Sequence, residues 1–239
     1  PGLGEHISGA ILYDETIRQS TRDGRRFVDV MNAAGVIPGI KVDMGPVAMP
    51  GFPGELVTEG LDGLVRRLEE YYKLGARFAK WRAVITIGED IPTSACIGAN
   101  MHALARYAAA CQAVGLVPMV EPEVLMDGDH DIETCYSVTD STLRTLYSEL
   151  YDQDVLLEGT ILKASMVLPG KDCPEQVDAE EVAEATIRCL KSTVPATVPG
   201  IVFLSGGQSD LQATEHLDLM NKTGGLPWPL SFSYGRALQ

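Results

Sequence analysis

The chain has 239 residues, 45% of them apolar, enough to bury one sizeable core and too few for more than two small ones. It sets 19 basic against 33 acidic residues, a formal charge of −14, which argues against nucleic acid or an anionic membrane as the main partner. An anionic substrate must therefore be met by a local cluster of cations.

The five cysteines, Cys96, Cys111, Cys135, Cys173 and Cys189, are odd in number, scattered and free of any C-x-x-C pair. They read as reduced thiols of a cytoplasmic protein. No apolar run approaches the roughly 18 residues of a membrane span, and no signal-peptide pattern opens the chain. It begins on Pro1 rather than Met, so a processed or cropped N-terminus is expected.

Residues 8–12 form a short apolar segment. The turn at Asp23-Gly24 leads to an amphipathic stretch over 27–34, stopped by Gly35. An apolar run follows over 36–42 with Lys41 near its end, then a Gly/Pro loop over 46–53. Helical spacing over 61–74 closes at Gly75, and the strand-like run 77–85 carries Lys80 and Arg82. The Ala-rich segment 95–114 predicts a helix ended by Gly115. Residues 116–120 form a buried-strand pattern leading into Glu121-Pro122-Glu123.

Residues 139–151 predict a helix with Thr139 as N-cap. The apolar run V-L-L-E-G-T-I-L-K-A-S over 155–165 holds a single lysine, Lys163. Asp178-x-x-Glu181 opens a helix over 181–192 in the manner of a capping box, and Ser209-x-x-Gln212 repeats that signal after the strand 201–205 and Gly206-Gly207. The last strand pattern, 230–234, ends in Gly235-Arg236.

Strand and helix alternate on short connections, which predicts βαβ units and a parallel sheet. Lys41, Lys80, Glu121, Lys163, Ser205 and Arg236 mark successive strand ends, 39, 41, 42, 42 and 31 residues apart. Polar groups at nearly every strand end, rather than at one switch point, predict a (β/α)8 TIM barrel. Only seven strand patterns can be counted, so the first strand is expected to lie before residue 1. The expectation is a single barrel domain over 1–239, truncated at both ends.

Side chains alternate faces along a strand, so Lys80 and Arg82 share one face, as do Glu121 and Glu123. If these point inward, the barrel mouth gathers Lys41, Lys80, Arg82, Lys163 and Arg236 around two carboxylates. Like charge and desolvation both disfavour an ammonium ion there, and a neutral amine attacks carbonyl carbon to form a Schiff base. Glu121 or Glu123 would shuttle the protons. Ser205-Gly206-Gly207 before a capped helix offers backbone N–H groups to a phosphate, with Gly235 and the Arg236 guanidinium beside it. Lys41 and Arg82 are candidates for a second phosphate.

Metal chemistry finds little support. His6, His102, His130 and His216 are dispersed. Asp127-Gly-Asp129-His-Asp131 opens like a calcium loop, but Ile132 and Val138 stand where that loop needs Gly and Glu, so an acidic turn is expected.

At these residues the chain resembles the class I, Schiff-base-forming fructose-bisphosphate aldolases. The matching stretches are L-L-E-G-T-I-L-K-A-S (156–165), G-I-K-V-D (39–43), F-A-K-W-R (78–82), P-M-V-E-P-E (118–123), D-G-D-H-D (127–131), F-L-S-G-G-Q-S (203–209) and F-S-Y-G-R-A-L-Q (232–239), spread over essentially the whole chain. The resemblance implies Lys163 as the Schiff-base former, Glu121 as its acid/base, Glu123 as an electrostatic partner and Lys80 as a handler of charge at the reacting carbons. It implies Ser205, Gly206, Gly235 and Arg236 at the ketone-end phosphate, with Lys41 and Arg82 near the other. It further implies reversible cleavage of fructose 1,6-bisphosphate to dihydroxyacetone phosphate and glyceraldehyde 3-phosphate in glycolysis and gluconeogenesis, with no cofactor or metal, by a cytoplasmic homotetramer. Two pieces of the family pattern, a first strand bearing an active-site aspartate and a tail ending in tyrosine, are expected to lie outside the chain. A transaldolase-like Schiff-base barrel and a catalytically weak scaffold are the alternative readings.

Overall fold

A computed structural model of the chain describes residues 2–235. After a 3-10 turn at Leu3–Glu5, the elements in order are β1 (Gly9–Leu12), α1 (Asp14–Ile17), α2 (Phe27–Ala33), β2 (Ile37–Lys41), β3 (Gly45–Ala48), β4 (Leu56–Glu59), α3 (Leu64–Leu74) and β5 (Phe78–Ile85). Then come α4 (Ser94–Ala113), β6 (Val117–Val124), α5 (Ile132–Asp152), a second 3-10 turn at Leu157–Gly159, β7 (Ile161–Ala164), α6 (Ala179–Thr193), β8 (Ile201–Phe203), α7 (Asp210–Thr223) and β9 (Leu230–Phe232).

Seven strands pair in the order β1-β2-β5-β6-β7-β8-β9, each parallel to the next. The sheet curls as in a β/α barrel, and β1 and β9 form its edges; among the described residues it holds seven of the eight strands expected. One continuous apolar cluster, from Ile17 to Leu230, joins the sheet to its helices.

The helices follow from their sequences. In α3, Leu64, Leu68 and Tyr71 fall on one face and are buried, and Gly75, at φ +115°, supplies the left-handed residue that ends it. The alanines of α4 let it lie close against β5, β6, α3 and α5, so it is buried on much of its circumference. Side-chain caps start the later helices: Thr93 accepts from the Cys96 N–H, Asp131 from Thr134 and Asp178 from Glu181. Ser209 and Gln212 form the full capping box expected of them.

Two expectations are corrected. The Gly/Pro segment 46–53 is not simply a loop, because it begins inside an antiparallel hairpin of β3 and β4. The hairpin is tied down by buried polar groups that no periodicity announces. The Glu55 carboxylate accepts from the Thr93 N–H at 2.6 Å and its hydroxyl at 2.7 Å, and the fully buried Asn100 donates to the Leu56 carbonyl at 2.8 Å. The second correction concerns Thr139, which lies inside α5 and not at its start. That helix begins seven residues earlier at Ile132, because Asp131 caps it and Ile132 and Cys135 already face the core.

Candidate active site

Residues of four adjacent strands converge. Lys41 and Lys163 stand at or next to the ends of theirs. Lys80 and Glu121, expected at strand ends, lie inside β5 and β6, because those two strands run on to Ile85 and Val124. Lys80 and Arg82 on β5 point the same way, while Trp81 between them is fully buried on the other face against Tyr107 of α4, their rings 5.5 Å apart. In register, Lys41 on β2 lies beside Lys80, and Arg82 lies beside Glu121 on β6. β7 next to β6 then brings Lys163 into the same group.

Glu121 is the centre of the arrangement. Its Oε1 is 3.1 Å from the Lys163 Nζ and its Oε2 is 3.0 Å from the Lys80 Nζ, and all three side chains are almost wholly buried. Oε2 has no hydrogen bond of good geometry, although the Lys80 ammonium is at ion-pair distance: the contact is Coulombic and off-axis. A buried carboxylate oxygen left open in this way can accept a proton or a substrate hydroxyl.

The remaining cations pair outward from this centre. Lys41 donates to the Asp43 carboxylate at 2.6 Å and to its carbonyl at 2.9 Å, and Arg82 is bonded to Glu123. Burial works against the Arg82 guanidinium, but Glu123 outweighs it and holds its pKa above the ordinary arginine range. The Lys80 and Lys163 side chains are 10% and 11% exposed, while those of Lys41 and Arg82 are 24% and 36% exposed. The inner pair is therefore shielded from water, and the outer pair is the more open to solvent.

Asp43 joins the two carboxylates expected at the mouth, so the cations there are largely neutralised. Lys41, Lys80, Arg82 and Lys163 face Asp43, Glu121 and Glu123, four positive charges to three negative, a surplus of one. Burying like charges together is too costly without carboxylates between them.

Several residues here were not singled out by the sequence. Asp43 accepts from the Gly45 and Arg82 N–H groups as well as from Lys41, so one buried carboxylate ties β2 to β5. Ser165 accepts from the Val124 N–H at 3.1 Å and donates to its carbonyl at 3.0 Å, stitching β7 to the end of β6. Each lies two residues past a lysine on the same face, at Lys41 and Lys163, and that spacing could have found both. Thr58 on the hairpin donates to the Arg82 carbonyl at 2.9 Å and was not legible.

On the other side of Lys163, β8 pairs with β7 and leads into Ser205-Gly206-Gly207-Gln208. The Gln208 N–H donates to the Ser205 carbonyl at 2.9 Å, and Gly206 and Gly207 take φ of +62° and +100°. A tight turn with positive φ at both central positions favours glycine, with Asn and Asp the next best tolerated. Gly235 is exposed on the segment leaving β9, and Arg236 lies outside the described residues. Among the described residues no group of three or more His, Cys, Asp or Glu side chains is placed to hold a metal ion. The segment 127–131 is an irregular turn between β6 and α5 whose last residue caps the helix.

Known proteins resemble this chain along its whole length. The family model described as fructose-bisphosphate aldolase class-I matches residues 1–239. A probable fructose-bisphosphate aldolase class 1 of Xanthomonas axonopodis pv. citri (strain 306) is 71% identical over 239 residues, covering all of this chain and 72% of the relative. Fructose-bisphosphate aldolase 4, cytosolic, of Arabidopsis thaliana is 55% identical over 240 residues, covering all of this chain and 61% of that protein. The solved structure of the Plasmodium falciparum aldolase in complex with TRAP and a small-molecule inhibitor superposes with a TM-score of 0.98 at 49% identity, over all of this chain and 69% of that one.

Proposed function

The chain belongs to the class I fructose-bisphosphate aldolase family, and from that premise we propose that it cleaves fructose 1,6-bisphosphate reversibly to dihydroxyacetone phosphate and glyceraldehyde 3-phosphate through a Schiff base on Lys163. The observation that carries this reading is Glu121 lying 3.1 Å from Lys163 and 3.0 Å from Lys80 inside the curl of the sheet.

Attack requires the Lys163 amine to shed a proton, and Glu121 is within reach to take it. The amine adds to the ketone carbon of the open-chain sugar, and the carbinolamine loses water as Glu121 returns that proton to the departing hydroxyl. The iminium draws electrons, so the C3–C4 bond breaks when the C4 hydroxyl gives up its proton to a carboxylate. An aldehyde leaves and an enamine stays on Lys163. Lys80, on the other oxygen of Glu121, keeps that carboxylate in place and offsets its charge.

The two phosphates fit the order of the strands. The ketone-end phosphate is one carbon from the atom that Lys163 attacks, so it must be held a few bonds from the Lys163 amine, by an element beside β7. The turn at Ser205 and Gly206, which follows β8, meets that requirement, with Gly235 and Arg236 as further ligands. The far phosphate then falls toward Lys41 on β2 and Arg82 on β5, where the side chains are more exposed.

Glycolysis and gluconeogenesis in the cytoplasm, and assembly as a homotetramer, rest on the family and on the cytosolic relative. Treatment with fructose 1,6-bisphosphate and borohydride should leave one covalent adduct on Lys163, and Lys163→Met should abolish both adduct and turnover. Full activity in that variant rejects the proposal.

A further inference from the structure

We propose that Gln208 and His216 form a clamp that aims the phosphate-binding turn after β8, a positioning role for two residues that need not touch the substrate. The inference rests on the reading of Ser205 and Gly206 as ligands of the ketone-end phosphate.

The Ser205 carbonyl accepts two hydrogen bonds, one from the Gln208 backbone N–H at 2.9 Å and one from its side-chain Nε2 at 3.0 Å. A carbonyl only accepts, so the amide nitrogen must be the atom that faces it. That leaves the Gln208 Oε1 toward the Nδ1 of His216 on α7, 2.7 Å away. Oε1 only accepts as well, so His216 must carry its proton on Nδ1. Donor and acceptor roles are thus fixed along the chain His216, Gln208, Ser205. His216 is buried, which lowers its pKa and keeps the ring neutral near pH 7.

The consequence for the site comes from the peptide plane. In a trans peptide the carbonyl and the following N–H point in opposite directions. Fastening the Ser205 carbonyl therefore aims the Gly206 N–H away from the clamp. Among the described residues the Gly206 and Gly207 N–H groups have no acceptor. The turn is made of glycines at positive φ and lacks side-chain bulk to hold its own plane, so the orientation must be imposed from outside. Gln208 also approaches the Met166 sulfur at 3.7 Å, so the same amide registers the turn against the segment that leaves the Lys163 strand.

The test is equilibrium binding of inorganic phosphate to the whole chain by calorimetry, in the parent and three variants. Gln208→Ala and His216→Leu each remove one link, and phosphate affinity should fall about three- to tenfold, the worth of one hydrogen bond in aligning a site. His216→Asn places an amide donor where Nδ1 was and should stay within twofold of the parent. Unchanged affinity in both disrupting variants overturns the clamp. So does an Asn variant as weak as the Leu variant, or a parent chain that does not bind phosphate saturably. The Schiff-base reading fails on a separate result, absence of the borohydride adduct on Lys163 in the parent, and the phosphate measurements still judge the clamp in that case.

Discussion

Glu121 and Asp140 are both carboxylates held by cations, and they differ in almost everything else. Asp140 on α5 takes a forked pair of hydrogen bonds from Arg144 one turn on, at 2.7 and 3.0 Å, and a third from Ser192. Glu121 has two lysines within 3.1 Å, at ion-pair distance rather than in well-formed hydrogen bonds, and its buried Oε2 has none. By geometry alone the helix pair is the better made. Yet water replaces every one of its contacts when it opens, whereas nothing inside the sheet replaces Glu121. Energetic weight therefore follows surroundings, and the less perfect arrangement is the one that matters.

The largest effect is expected where that contrast is broken at its buried end. Glu121→Ala leaves two buried ammonium groups facing each other, which costs roughly 3–5 kcal/mol. For a chain of this size each kcal/mol lowers the unfolding midpoint by about 2–4 °C, so a fall of roughly 6–20 °C is expected by thermal melting. Activity should vanish with it. The combined change Lys80→Met, Glu121→Leu, Lys163→Met removes the charges together, and its midpoint should recover to the parent value or above while turnover stays absent. A triple variant as unstable as the single one would show that the triad holds the fold together and is not retained for chemistry.

This contrast also marks how far the sequence could be read. The alternation of Lys80 and Arg82 around Trp81 was legible because two-residue periodicity needs no tertiary information. The same rule placed Glu121 with Glu123. That Glu121 or Glu123 would stand beside Lys163 was expected, but that Arg82 pairs with Glu123 and Lys41 with Asp43 was not legible, since those pairings depend on register and on the turn after β2. The start of α5 was misplaced because Thr139 reads as a cap residue, although it is buried inside the helix, and the polar residues between Ile132 and Thr139 hid the first two turns. Gln208 and His216 are eight residues apart, on a turn and a helix that meet only after folding, and no periodic signal joins them.

A smaller effect comes from buried histidines, which sharpen the comparison by having no counter-charge bonded to them. Burial lowers the pKa of His130 and of His216, against a weaker opposing pull from neighbouring aspartates and from Glu215 respectively. Neither ring nitrogen of His130 has a hydrogen-bond partner. With folded-state pKa values below the unfolded value of about 6.5, the unfolded chain takes up protons first as pH falls. Stability contributed by the neutral rings is complete above about pH 6.5 and declines below it, by up to about 1.4 kcal/mol for each pKa unit of depression. Melting at pH 7.5 and 5.5 should show a smaller acid-side drop for His216→Asn than for the parent; an equal drop would assign the acid sensitivity elsewhere.

The smallest expected effect lies at the other end of the comparison, in Arg144→Ala. Arg144 is exposed, and its Asp140 partner keeps a hydrogen bond from Ser192 when the guanidinium is gone. No buried charge is stranded, and water takes the place of the fork. The melting midpoint should match that of the parent within error, and turnover should be unchanged. If instead Arg144→Ala lowered the midpoint by as much as Glu121→Ala, bond geometry and not burial would be setting the weight of an ion pair in this chain. The same result would remove the reason for treating Glu121, with its open Oε2, as a group kept for reaction.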